Sequence, residues 1–192
     1  VKVESRKTDQ AHLSLALHGL SSTDPDSYVL DLLSAILGEG MSSRLFQAVR
    51  EEQGLAYDVH SYTNHFHDCG SVVIYAGVDP KNAQRAVSSI LEEVLRLTRD
   101  SVPSTELDKA KSLVKGRMLL RLEDTRSVAL WGGAQEMLLG RVLSVDEVLE
   151  RIDSVTSEDL LRVAAKLFVW ERMNLAVVGP YRTERGFVAL FP

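Results

Sequence analysis

The sequence predicts an α+β fold, a mainly antiparallel β-sheet with helices packed on one face. Three observations carry that prediction. Ala11, Leu13, Leu15 and Leu17 alternate through QAHLSLALHGL and share one face of a strand. AYDVHSYTNHFH and GSVVIYAGV meet at Asp68-Cys69-Gly70 as an antiparallel hairpin. From Asp79-Pro80 onward the text is helical, until the apolar strand MNLAVVGP closes it.

Each element has its own signal. In DPDSYVLDLLSAILG, Asp24 is an N-cap candidate with Pro25 at the first helical position, and Tyr28, Leu32, Ala35 and Ile36 keep helical spacing. Gly38 and Gly40 supply a C-cap and a turn. Ser42 or Ser43 is expected to cap the next helix, SRLFQAVREEQ, which Gly54 ends. NAQRAVSSILEEVLRLT runs to a break at Ser101-Val102-Pro103, and PSTELDKAKSLVKGRMLLRLE starts again. TRSVALWGGAQEMLLG, SVDEVLERIDSV and SEDLLRVAAKLFV follow. Thr156 and Ser157 are capping candidates for the last, with Glu158 and Asp159 in its first turn. No low-complexity tract or short repeat divides the chain. The expected organisation is one domain over residues 1–181 and a tail over 182–192.

Composition sets the outer limits. The 192 residues are enough for a sizeable core; 45% are hydrophobic and 26% charged, near the average for globular domains. Net charge is −5, from 27 acids against 22 Lys and Arg, which argues against nucleic-acid binding. The single cysteine, Cys69, excludes an internal disulfide and a cysteine zinc cluster, and is expected to act as a small hydrophobe. Apolar runs are too short for a membrane span. The start at Val1 without Met suggests a piece of a longer polypeptide. A bacterial cytoplasm is the default expectation for the compartment.

The search for chemistry leaves one pair standing. The five histidines lie outside the predicted helices, and neither H-E-x-x-H nor H-x-x-E-H occurs. His65 and His67 are two apart and would share a strand face, where Asp68 or Cys69 offers a further ligand; a solvated hairpin turn is the competing reading. GEGMSSR at 38–44 is glycine-rich and opens a helix, but it lacks the G-K-[ST] of a phosphate loop. Arg50 and Tyr57 flank a helix-to-strand corner in LFQAVREEQGLAYDVHS. They read either as a surface charge and a packed ring, or as two donors aimed at a carbonyl oxygen.

At this point a resemblance enters. QAHLSLALHGL, GMSSRLFQAVREEQGLAY within the longer run LLSAILGEGMSSRLFQAVREEQGLAYDVHSYTNHFHDCGSVVIYAGVDP, and the closing LAVVGPY are similar to the second half of the pitrilysin-type zinc peptidases. That family includes insulin-degrading enzyme, the mitochondrial processing peptidase subunits and the core proteins of respiratory complex III. The resemblance covers about residues 8–181. It implies an inverted-zincin-like half without the metal motif. Zinc would sit in an N-terminal catalytic half, on the same or another chain, and none would be bound here. It assigns Arg50 and Tyr57 to the peptide substrate, beside a zinc site on the partner half, and makes Gly38, Gly40, Ser42 and Ser43 a candidate substrate loop. The strands at 11–18 and 71–78 become candidates for lining a peptide chamber. The helix at 24–37 has no His and no Glu where a first half would carry its motif. The competing implication is a structural subunit like the complex III core proteins. An isolated half, with its docking face bare, is expected to form a homodimer.

Overall fold

The computed structural model describes residues 1–192. In chain order the elements are β1 (Lys2–Ser5), β2 (Ala11–His18), α1 (Ser27–Gly38), a π-helix (Phe46–Glu52), β3 (Ala56–His65) and β4 (Gly70–Val78). Then come α2 (Ala83–Arg99), α3 (Ser104–Arg121), α4 (Thr125–Leu139), α5 (Val145–Ser154), α6 (Ser157–Leu167), β5 (Asn174–Gly179) and α7 (Arg185–Val188). The five strands form one sheet in the order β1-β5-β2-β4-β3. Only β1 and β5 pair in parallel; the other three pairings are antiparallel.

Alternation along the strands builds the core, as the sequence predicts. Ala11, Leu13, Leu15 and Leu17 of β2 are buried, as are Val72, Ile74, Ala76 and Val78 of β4 and Leu175 and Val177 of β5. Residues between them, such as His12, Ser14, Val73 and Tyr75, are half-buried on the opposite, more open face. α1 lies over the inner face between the sheet and α3, α5 and α6, and ten of its twelve residues are buried. That is why its apolar residues run all round the helix rather than along one stripe.

Helix and sheet approach closely where α1 ends. A Cβ added to Gly38 would sit 2.4 Å from the Ser61 backbone nitrogen of β3. Beside it, the Ser34 hydroxyl donates to Ser61 Oγ (3.2 Å) while the Ser61 hydroxyl donates to the Ser34 carbonyl (2.8 Å). Two buried hydroxyls thereby satisfy each other, and no polar group is stranded in the interface.

Several local expectations change. α1 begins at Ser27, three residues after Asp24, which instead accepts from the Asp26 backbone N–H (2.9 Å) in a turn before the helix. Asp26 occupies the N-cap position but makes no capping bond; Arg162 of α6 grips it in a two-pronged ion pair (2.7 and 2.8 Å). Ser43 accepts no capping bond either; its hydroxyl donates back to the Gly40 carbonyl (2.8 Å). At α6 the expected cap forms, Thr156 closing a capping box with Asp159, and Ser144 closes another with Glu147 at α5. β1 carries no alternating apolar pattern, and only pairing with β5 makes it a strand. Beyond residue 181, α7 buries Phe187, whose ring meets Tyr181 edge-on at 5.0 Å.

α4 stands apart. None of its side chains is buried, and Leu130 and Met137 are 57% and 84% exposed. No helix of the chain is long and apolar enough to cross a membrane.

Two glycines test this packing. Gly38→Ala must push α1 off β3 and is expected to destabilise the chain by about 1–3 kcal/mol. Gly133→Ala in α4 meets nothing within 4 Å and is expected to stabilise it by up to about 1 kcal/mol. Urea unfolding of both variants checks the pair, and a Gly38→Ala chain as stable as wild type would refute the contact.

Candidate functional site

Arg50 and Tyr57 occupy a corner made by two local irregularities. The segment after Gly40 winds as a π-helix over Phe46–Glu52, with Val49 buried and Arg50 exposed in its last turn. π-helical turns occur disproportionately at functional sites. Gly54 adopts φ +59°, and the Leu55 N–H donates to the Val49 carbonyl (2.8 Å), so the chain folds back tightly into β3. There the register slips: Ala56 pairs with Val78 and Asp58 with Gly77. Tyr57 is the extra residue of a β-bulge at the start of an edge strand. A bulge re-aims its side chain, and Tyr57 is 60% exposed. The π-helix packs against β3, and the exposed Arg50 and Tyr57 flank the turn between them without bonding each other.

Arg50 joins none of the chain's Arg and Lys ion pairs. Its guanidinium carbon instead lies 4.8 Å from the centroid of the Phe46 ring. Phe46 is the residue that sequence reasoning missed here; its four-residue spacing from Arg50 was the available signal. Arg44, by contrast, is tied down by Glu106 of α3 through two bonds of 2.9 and 2.8 Å. This fastens the start of the π-helical segment to the helical layer.

The glycine loop divides. Gly38 is buried under β3, and Ser43 is buried with its hydroxyl turned back onto Gly40. Gly40, with φ +81°, is exposed together with Met41 and Ser42. These residues border a groove of about 410 Å³ whose other wall is Glu106, Lys109, Ala110 and Leu113 of α3. Glu39, also on the groove, pairs with Arg117. Burial pushes its carboxyl above the usual carboxylate value despite that arginine.

The histidines do not gather a metal. His65 Nδ1 donates to the Leu20 carbonyl (2.7 Å) and Nε2 to Asp31 Oδ1 (3.0 Å), so neither nitrogen is free to ligate. Thr63 donates to the same Asp31 oxygen (2.5 Å). No three His, Cys, Asp or Glu side chains converge in a metal-binding group, so the residues of this chain do not fit zinc. Cys69, expected to act as a small hydrophobe, is exposed at the hairpin tip, where no core reaches it. On the open sheet face, His12 Nδ1 lies 2.7 Å from the Tyr75 hydroxyl, and the His60 ring stands 5.2 Å from the Tyr75 ring.

The comparisons with known proteins bear on the family and the fold. Residues 1–114 match the family described as the peptidase M16 inactive domain. An uncharacterised zinc protease of Streptomyces coelicolor is 38% identical over 97% of this chain and 40% of its own length. The uncharacterised zinc protease YmxG of Bacillus subtilis is 39% identical over 91% of this chain and 42% of its own. The chain thus spans about two fifths of the relatives it matches. Among solved structures, a peptidase M16 inactive domain from Pseudomonas fluorescens superposes with a TM-score of 0.84 at 22% identity, over 94% of this chain and 43% of its own. Complex III2 from Candida albicans contains a chain that superposes equally well at 22% identity, over 98% of this chain and 48% of its own. At these identities the two structures speak for the fold.

The His65 bonds set a pH dependence. Both ring nitrogens face acceptors, an arrangement only the imidazolium satisfies. Burial pushes the ring's pKa down, but the bond and charge of Asp31, the Leu20 carbonyl and Asp24 together raise it above the ordinary 6.5. The resulting stability is fully present below about pH 6.5 and is lost as pH rises through the native value. His65→Gln is therefore expected to cost about 1–2 kcal/mol at pH 5.5 and less at pH 8.5. Urea unfolding of both proteins at the two pH values checks it; a pH-independent difference would contradict a charged His65.

Proposed function

Because this chain belongs to the peptidase M16 inactive-domain family, we propose that it is the non-catalytic half of a zinc-dependent metalloendopeptidase and binds the peptide substrate. The exposed Arg50 and Tyr57 at one corner carry the reading. A guanidinium with five N–H donors and a phenol with one are suited to a peptide carbonyl oxygen. Their bonds strengthen as negative charge builds on that oxygen, so they favour the transition state over the bound substrate. Zinc belongs to the other half of the protein, and the zinc-protease names of the relatives support that division.

The partner is the N-terminal catalytic half, on the same or another chain. The relatives' greater length supports it, and the bare apolar side chains of α4 provide a surface for contact. In the isolated chain the same surface would pair two copies as a homodimer. Within the glycine loop, the exposed Gly40 and Ser42 border the groove, which supports a peptide contact there. The competing reading is a structural subunit of the complex III core-protein kind. The Candida albicans likeness supports it only as far as the fold.

In the full-length protein, Arg50→Ala and Tyr57→Phe are each expected to lower kcat/KM for a quenched-fluorescent peptide by about 10²–10³. Zinc content by elemental analysis should stay unchanged. Wild-type turnover in both variants would remove the role assigned to the pair, whereas a wild-type protein without turnover would favour the structural subunit.

A further inference from the structure

We propose that Phe46 is a positioning residue for Arg50, its ring holding the guanidinium in place while leaving the N–H donors free for a peptide carbonyl. The inference rests on the reading of Arg50 as a peptide-binding group.

The geometry distinguishes two ways of holding an arginine. A carboxylate fixes a guanidinium by occupying its donors, as Glu106 occupies two of those of Arg44. An aromatic face attracts the same cation through its π-electrons and takes none of them. Arg50 is held in the second way. Its guanidinium carbon lies 4.8 Å from the Phe46 centroid, and it joins no Asp or Glu although Glu51 and Glu52 follow it directly. A free arginine samples many rotamers, and each bond it makes to substrate must first overcome that freedom. A ring four residues earlier in the same helix restricts the side chain before substrate arrives.

Phe46 is itself anchored. It is half-buried, and its neighbours Leu45 and Val49 are buried in the core. Arg44, two residues earlier, is clamped to α3. The ring's position is therefore set by the packing of the domain, and the position of the guanidinium follows from the ring.

The test uses the full-length, zinc-loaded protein, a quenched-fluorescent peptide and four variants: Phe46→Leu, Phe46→Tyr, Arg50→Ala and the double variant Phe46→Leu/Arg50→Ala. Phe46→Leu keeps an apolar side chain and removes the π face. It is expected to lower kcat about three- to tenfold with KM little changed. Phe46→Tyr keeps the face and should retain turnover. In the Arg50→Ala background, Phe46→Leu should cause no further loss, because the ring acts only through the guanidinium. An equal loss with and without Arg50 would mean that Phe46 merely supports the fold, and would overturn the proposal. So would a Phe46→Leu protein with wild-type kcat while Arg50→Ala is impaired. If Arg50→Ala alone leaves turnover intact, or the wild-type protein has none, the peptide-binding reading of Arg50 fails first and the proposal falls with it. Thermal unfolding and zinc content of each variant separate loss of fold from loss of positioning.

Discussion

The contact between the end of α1 and the middle of β3 governs the layout of the candidate site. Gly38 lies so close to the Ser61 backbone that no side chain fits between them. The serine pair 34–61 seals the same interface with mutual hydrogen bonds. With α1 pinned there, the chain must turn away at once, and Gly40 makes the turn with a positive φ. It must then return to feed β3, the edge strand of the sheet. The short path between those fixed points is the segment that carries Phe46, Arg50 and Tyr57.

Two irregularities fit the segment to that path. The π-helix widens the winding ahead of β3, and the bulge at Tyr57 adds a residue to β3 without shifting the buried face of Val59 and Ser61. A one-residue slip in an ordinary strand would have turned those residues outward. The bulge absorbs the slip and leaves Tyr57 on the surface. The same segment thus satisfies the core through Val49, Leu55 and Val59 and presents Arg50 and Tyr57 outside it.

The two arginines of this segment show how environment sets purpose. Arg44 and Arg50 are six residues apart in one helical run. Arg44 is partly buried, doubly bonded to Glu106, and held by that bond above its ordinary pKa. Its donors serve the fold by joining the π-helical segment to α3. Arg50 is exposed on an aromatic ring and keeps its donors available. The difference comes from Glu106 of α3, which bonds Arg44, while Arg50 meets only Phe46 of its own helical run.

The sequence by itself determined the α+β class, the buried face of β2, the β3–β4 hairpin and the helical block, because period-two and helical patterns report which faces meet the core. It also singled out Arg50 and Tyr57 by their wording around Gly54. It could not determine β1, which is a strand only because β5 lies beside it, nor the cap of α1, where Arg162 claims Asp26 from far along the chain. Nor could it show that Cys69 stands outside the core, that His65 is held by Leu20 and Asp31, or that Phe46 lies against Arg50. Those depend on which distant groups the fold brings within hydrogen-bonding or ring-contact distance. Local periodicity carries no information about such partners, so only the tertiary structure decides them.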